Sequence, residues 1–191
     1  MRAAHAARTP SQTARMNALV SAIHSLARRI FGFCAGLSLA LVFAIVFVNA
    51  LRRYTVGKSL EWGEELPIYL SIYGVMFGIG LAYLEDRHVG FSVFTDLLPD
   101  RVRRWLLVAV DVATVAIGLL LAWSGFLFAA RRGALEASGL IGTAKALAET
   151  MAAEWLVGLG QMATWQAAMG IGGVVLAIAA AIRLVARLRE P

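Results

Sequence analysis

Three groups of charged residues could take part in chemistry, and the first is acidic. Glu61, Glu64 and Glu65 stand just before a long apolar block. On a helix they fall within about a third of the circumference, where like charges repel unless water or cations are near. Two interpretations stay open: a solvated turn stabilised by a helix N-terminus, and a docking surface for another protein. Acid–base catalysis is not favoured, because no nucleophile accompanies the carboxylates.

The second group is a single acid, Asp111, inside an otherwise uncharged stretch from Trp105 to Ala130. It follows Arg104 by seven residues, which places it about 10 Å deeper along a helix axis. Charged groups in a bilayer usually face a protein interior or a wet cavity. A proton or cation relay is one hypothesis. Pairing with Thr114 or with a partner subunit is favoured, because the other apolar blocks offer no second ionisable group at similar depth.

The third group is the charged stretch 85–88, which ends in His88. The chain has three histidines and none lies in the middle of an apolar block, which excludes paired axial ligands for an intramembrane haem and disfavours a metal site. Cys34 is the only cysteine, so no internal disulfide can form. Glycine-rich phosphate loops and GxSxG are also absent from the sequence. The sequence therefore predicts no enzyme, no cofactor and no metal.

The elements that position these groups are four long apolar blocks. Hydrophobic residues make up 60% of the 191 residues and charged residues 16%, against about 45–50% and about 25% in soluble domains. A helix needs about 20 apolar residues to cross the hydrocarbon core. We therefore predict an all-α integral membrane protein, one membrane domain over 1–191 with four transmembrane helices. The predicted spans are about 30–51, 64–84, 105–130 and 158–182.

Two further segments are predicted to be short amphipathic helices at the membrane interface. Residues 1–29 contain five arginines and no acid, with apolar residues at three- and four-residue spacing from Met16 onward. This pattern predicts a basic cytoplasmic helix on a membrane surface. In the third loop, an apolar face predicts a helix over about 140–155, with Trp155 as an anchor at headgroup level.

Charge and glycine spacing describe how the spans are oriented and packed. The net charge is +6, but the cations are scattered between apolar blocks, which disfavours a nucleic-acid surface. The two termini and the second loop carry 12 of the 18 cations, which predicts that both termini are cytoplasmic. Gly32 with Gly36, and Gly74 with Gly78, match a spacing that lets membrane helices approach closely.

The order of features from Asn49 to Arg104 resembles the DctQ-type small membrane subunit of TRAP transporters, the tripartite ATP-independent periplasmic carriers. The resemblance covers about 55 residues, and its combination of Trp-x-Glu-Glu-Leu with a later Arg-His-Val is fairly specific. The matching features are Asn49 and Arg52/Arg53 at the end of the first span, Trp62-Gly63-Glu64-Glu65-Leu66 at the start of the second, Gly74, Gly78 and Gly80 within it, Arg87-His88-Val89 after it, and Leu98-Pro99 with Arg101/Arg103 before the third.

This resemblance implies a non-catalytic subunit in sodium-coupled secondary transport across a bacterial inner membrane. A large membrane subunit would carry the substrate and sodium sites, and a periplasmic solute-binding protein would deliver an organic acid. The small subunit would scaffold the large one within the lipid and help to dock the binding protein. The implied partner-interface residues are Arg52, Arg53, Trp62, Glu64 and Glu65 on the periplasmic side and His88 in the cytoplasm, and we add Asp111 to them.

Two other classes of function remain as alternatives. A self-sufficient small homo-oligomeric transporter or channel would need Asp111 to line its pathway. A membrane enzyme or electron carrier is disfavoured, because the sequence lacks haem ligands, thiol pairs and nucleophiles.

Overall fold

The computed structural model describes residues 12–85 and 98–189, and in these ranges the chain is built from helices. Four helices are long and apolar enough to cross a membrane, and two short ones lie between the third and fourth. The predicted all-α membrane fold is confirmed. The elements are α1 (Gln12–Val56), α2 (Trp62–Leu84), α3 (Asp100–Arg132), α4 (Ile141–Met151), a 3-10 helix (Glu154–Gly160) and α5 (Met162–Arg189).

The four long helices lie side by side in the order α1, α2, α5, α3. Helix α5 packs against both α2 and α3, whereas α1 packs mainly against α2. Half of the apolar part of α5 is buried within the chain, compared with 11% for α1. The core therefore follows α5, and α1 and α3 form the two edges of the layer.

Helices α3 and α5 touch backbone to backbone. A Cβ atom added to Gly118 would lie 2.7 Å from the Ala177 nitrogen and 2.9 Å from the Gly173 oxygen. Gly125 faces the backbone of Gly170 at similarly close range. Without side chains between them, two helices gain dispersion contacts along their whole seam. Glycine spacing in α3 and α5 is thus what makes α5 the central helix.

The glycine pairs singled out in the first two spans pack less closely. Gly74 does meet α1, since a Cβ there would lie 3.1 Å from the Ser38 Cβ. A Cβ at Gly36 or Gly78 would find no heavy atom of the described chain within 4 Å. These two glycines leave small openings on the surface of α1 and α2.

Helix α1 continues without a break from the basic N-terminal segment into the first apolar block. Residues 12–29 and the predicted span 30–51 both belong to this one helix of 45 residues. At 1.5 Å per residue it is about 68 Å long, roughly twice as long as α2. Helix α1 therefore extends well past α2.

The segment between α3 and α5 folds back on itself. Ala137 N donates to Gly160 O at 2.9 Å, and Met162 N donates to Leu135 O at 2.9 Å. Helix α4 ends at Met151 because Ala152 adopts a left-handed conformation, with φ 50° and ψ 40°. The chain then continues as the 3-10 helix, which contains the exposed Trp155. The predicted helix over 140–155 is thus two short helices with a turn between them.

Candidate functional sites at the two ends of the helical layer

The most buried charge in the described chain is the carboxylate of Asp111 on α3, which is 1% exposed. The Tyr83 hydroxyl on α2 donates to Oδ1 at 2.6 Å. The Nε of Arg187 on α5 lies 2.8 Å from Oδ2, and the contact is an ion pair without the alignment of a hydrogen bond. Three helices thus converge on one carboxylate, and we call this place the Asp111 end of the layer.

Sequence analysis missed both partners of Asp111. The predicted partner, Thr114, donates its hydroxyl to Val110 O in its own helix. The predicted fourth span ends at residue 182, but α5 continues as a helix to Arg189 and so includes Arg187. Apolar residues at 184, 185 and 188 continue the helical pattern past Arg183, and this signal could have revealed the longer helix.

The carboxylate is close to the end of the spans. Tyr83 belongs to the last turn of α2, and its hydroxyl reaches Asp111. The neighbouring Leu84 O lies 3.3 Å from His24 Nε2 and accepts from Arg183 Nη1 at 3.4 Å. Side-chain N–H groups near a helix C-terminus can hydrogen-bond its unpaired carbonyls, and a cation such as Arg183 also favours the helix dipole. The Asp111 end is therefore a cluster of polar contacts that joins α1, α2, α3 and α5.

At the opposite end of the layer, Glu65 fastens the third loop to the start of α2, and we call this place the Glu65 end. Its Oε1 accepts from Ser138 Oγ at 2.7 Å, and its Oε2 accepts from Gly139 N at 3.2 Å. Gly139 lies against the backbone of Glu61, where an added Cβ would come within 2.7 Å of the oxygen. Glu65 thus positions the loop before α4, and only a glycine fits where the loop crosses α2.

Asn49 performs a similar role between α1 and α2. Its Oδ1 accepts from Leu60 N at 2.8 Å, and its amide packs against Gly63. Trp62, the first residue of α2, is half-buried beside this turn. Asn49, Gly63 and Trp62 therefore set the turn that joins the first two long helices.

Arg53 and Glu64 are exposed and line one groove at the Glu65 end. The groove has a volume of about 630 Å³. Within the described ranges neither residue forms an ion pair. Arg52 is also exposed but does not line the groove. The lining residues are Val46, Asn49, Ala50, Arg53, Tyr54, Ser59, Gly63, Glu64 and Pro67.

The structure thus separates the predicted site residues into two places. Arg53 and Glu64 share the groove, and Glu65 is nearby but occupied by the loop before α4. Asp111 belongs to the other end of the layer, and His88 lies outside the described residues. Over residues 12–85 and 98–189, His, Cys, Asp and Glu side chains form no group of three that could hold a metal ion.

Similarity to known proteins agrees with this architecture. Residues 42–190 match the family described as "Tripartite ATP-independent periplasmic transporters, DctQ component". The chain is 27% identical over 84 residues to the sialic acid TRAP transporter small permease protein SiaQ of Vibrio cholerae, covering 44% of this chain and 49% of that protein. It is 27% identical over 96 residues to the ectoine TRAP transporter small permease protein TeaB of Halomonas elongata, covering 50% of each.

A third relative is a longer protein. The chain is 33% identical over 64 residues to the sialic acid TRAP transporter permease protein SiaT of Haemophilus influenzae, covering 34% of this chain and 10% of that protein. The chain spans about half of the length, or less, of these curated relatives. The family match covers most of the chain, including three of its four long helices and the end of α1. This multi-pass membrane protein belongs to the DctQ family of TRAP transporter components, which are transporter subunits and not enzymes.

Proposed function

We propose that the chain is the small permease subunit of a sodium-coupled TRAP transporter for an organic acid, and that it scaffolds a large transport subunit. The observation that supports this proposal is that Asp111 already has partners within its own chain. This carboxylate is buried and bound by Tyr83 and Arg187 of the same chain. With almost no exposed surface and both of its oxygens in contact with a partner, this carboxylate offers little room for a solute or an ion. The substrate and sodium sites would therefore lie on the large subunit.

The exposed apolar surfaces of the two edge helices support a scaffolding role. Leu39 and Phe43 on α1, and Leu120 and Trp123 on α3, are largely exposed. Large apolar surfaces of this kind face either lipid or another membrane protein. The openings at Gly36 and Gly78 would let a partner helix approach α1 and α2 closely. An interface with a larger membrane protein fits this surface.

The relatives support the large partner and the class of solute. The match to the permease protein SiaT occupies only 10% of that protein, so a segment similar to this chain occurs there beside a much longer sequence. Relatives are named for sialic acid and ectoine, and both of these solutes carry a carboxylate. We therefore propose a carboxylate-containing solute for this chain's transporter.

The Glu65 end would help to dock a periplasmic solute-binding protein. Exposed Arg52, Arg53 and Glu64 present charges there, and Glu65 holds the adjoining loop in place. The excess of cations at the termini and second loop supports an orientation in a bacterial inner membrane with this end in the periplasm. The half-buried Trp62 would act through the turn between α1 and α2.

The alternative of a self-sufficient homo-oligomeric transporter or channel depends on Asp111 lining a pathway. The carboxylate is 1% exposed and is held between three helices. This geometry does not favour the alternative.

The scaffold is tested by purification and cross-linking. A tagged chain should co-purify from its native membranes with a much larger multi-span membrane protein. In a Cys34→Ser background, single cysteines at Phe43, Val75 and Leu120 should show which side of the layer lies against the large subunit. A chain that purifies without a partner and carries out solute uptake alone in liposomes would contradict the proposal.

Docking is tested by charge reversal in the assembled transporter. Arg52→Glu should weaken uptake that depends on the binding protein, and Arg29→Glu, an exposed charge on α1 level with the Asp111 end, should leave it unchanged. Equal effects of both variants, or no effect of Arg52→Glu, would show that the Glu65 end is not the docking surface.

A further inference from the structure

The groove between α1 and α2 combines a polar mouth with an apolar floor. Arg53, Tyr54, Ser59 and Glu64 provide the polar side chains, and the apolar lining residues are Val46, Ala50 and Pro67. Val46 lies two helical turns before Arg53 and therefore about 10 Å further along α1. The groove thus runs from the charged end of the helices down their apolar sides.

The two charges in the groove have opposite signs and do not neutralise each other. Arg53 and Glu64 both line it, yet they do not form a salt bridge with each other or with another described residue. A ligand that complements them needs an anionic and a cationic group side by side. Its remainder must be apolar in order to follow Val46, Ala50 and Pro67.

We propose that this groove binds one phosphatidylethanolamine molecule. Its phosphate would lie at Arg53, whose guanidinium matches phosphate oxygens. Its primary ammonium would donate hydrogen bonds to Glu64, and one acyl chain would lie along the apolar floor. Tyr54 stands at the mouth, and tyrosine is common at the headgroup level of membranes. The volume of about 630 Å³ suits a headgroup, since ligand sites usually have about 300–1,000 Å³.

Charge distinguishes this lipid from the other occupants of a membrane groove. A purely anionic lipid would satisfy Arg53 but would place a second negative charge beside Glu64. Phosphatidylcholine has the same two charges, but its methylated ammonium has no N–H to donate. The site does not depend on the proposed scaffolding role. With the lipid bound, Arg53 and Glu64 hold its headgroup, and Arg52 remains for contact with the binding protein.

The test is native mass spectrometry of the purified full-length chain, delipidated and then mixed with one defined lipid at a time. Phosphatidylethanolamine should be retained in preference to phosphatidylcholine and phosphatidylglycerol. Arg53→Gln or Glu64→Gln should lower this retention roughly three- to tenfold, which is the effect of losing one hydrogen bond at an exposed site. The matched controls Arg52→Gln and Glu61→Gln change neighbouring exposed charges outside the groove and should retain the lipid like the unchanged chain.

Conservative variants separate charge from folding. Arg53→Lys and Glu64→Asp keep both charges, and they should keep the preference for phosphatidylethanolamine. The proposal is overturned if phosphatidylcholine is retained equally well, if phosphatidylglycerol is preferred, or if the control variants lose the lipid as fully as the groove variants. It is also overturned if a co-purified large subunit displaces the lipid, because the groove would then be a protein interface.

Discussion

The Asp111 carboxylate and the Arg187 guanidinium stabilise the helical layer as a pair. Each charge alone would have to lie in a poorly hydrated position between helices, where an unpaired charge is strongly unfavourable. Tyr83 adds a hydrogen bond to the same carboxylate. Removing one member should therefore cost more stability than replacing the pair by apolar side chains.

We expect Asp111→Asn to lower the midpoint of thermal unfolding in detergent. The loss corresponds to about 3 kcal/mol, at the lower end for a broken buried pair, because the Arg187 side chain is 17% exposed. The double variant Asp111→Leu with Arg187→Met should recover most of this loss. Arg101→Gln, which changes an exposed arginine at the start of α3, serves as the control. An unfolding midpoint unchanged by Asp111→Asn would show that the pair does not stabilise the fold.

A second prediction concerns Ala152, whose left-handed backbone ends α4. This conformation is unfavourable for alanine and accessible to glycine, and Ala152 is exposed, so no packing is lost by the change. Ala152→Gly should stabilise the chain by about 0.5–1 kcal/mol.

Ala146→Gly tests whether any glycine in α4 has the same effect. Ala146 is exposed in the middle of α4, and glycine there should destabilise the chain by about 0.5–1 kcal/mol. Thermal unfolding of both variants measures the difference. If both lower the unfolding midpoint, the left-handed conformation is not a source of strain.

Single residues were predictable where the chemistry is local. Sequence analysis identified Asp111 as a buried acid in need of a partner, and it placed Glu64 and Glu65 at the start of a helix. It could not distinguish the role of Glu65 from that of Glu64, because Glu65 is bound by a loop more than 70 residues away. Arg187 was missed for the same reason, since its contact with Asp111 depends on how α3 and α5 are paired.

At the scale of elements, the contact between α3 and α5 depends on the absence of side chains. Gly125 meets the backbone of Gly170, so a methyl group there would force the helices apart. Gly36 in α1 faces open space. We expect Gly125→Ala to destabilise the chain by about 1–3 kcal/mol, as overpacking does.

The matched variant Gly36→Ala should be neutral or stabilising, because alanine favours helix and meets no neighbour. Thermal unfolding in detergent, with size-exclusion chromatography to confirm a single species, compares the two. Equal destabilisation by both changes would mean that loss of glycine itself, and not contact between α3 and α5, determines stability.

The number of long helices followed from apolar length, because a helix is the structure that satisfies its own backbone in lipid. The contacts between the helices could not be predicted from apolar length. The GxxxG-like pairs of α1 and α2 have the expected spacing, but Gly36 and Gly78 meet nothing in the described chain. Spacing shows where two helices can approach, and it does not show which helix approaches.

At the scale of the whole molecule, the arrangement of charges predicts orientation. A fluorescent protein fused to the C-terminus should be fluorescent, because its fluorophore matures in the cytoplasm. Alkaline phosphatase fused at the same place should be inactive, because this enzyme matures in the periplasm. Fusions that end at Gly57, after one span, should show the opposite pattern. The reverse result at either position would contradict the proposed cytoplasmic termini.

The lateral order α1, α2, α5, α3 could not be read from the sequence. Four apolar helices of spanning length can be arranged in several ways, and each hides the backbone equally well. The order is set by contacts between distant residues, such as Gly118 with Gly173 and Tyr83 with Asp111. The family resemblance was recognised from residues between Asn49 and Arg104, none of which belongs to the central helix α5.

The unbroken course of α1 has a mechanical consequence. His24 lies beside the last carbonyl of α2, so the helical residues from Gln12 to His24 project beyond that point. Twelve residues correspond to about 18 Å of rod. A probe attached near Gln12 would turn rigidly with the first span. Distances measured from it would report tilting of the small subunit while the transporter works.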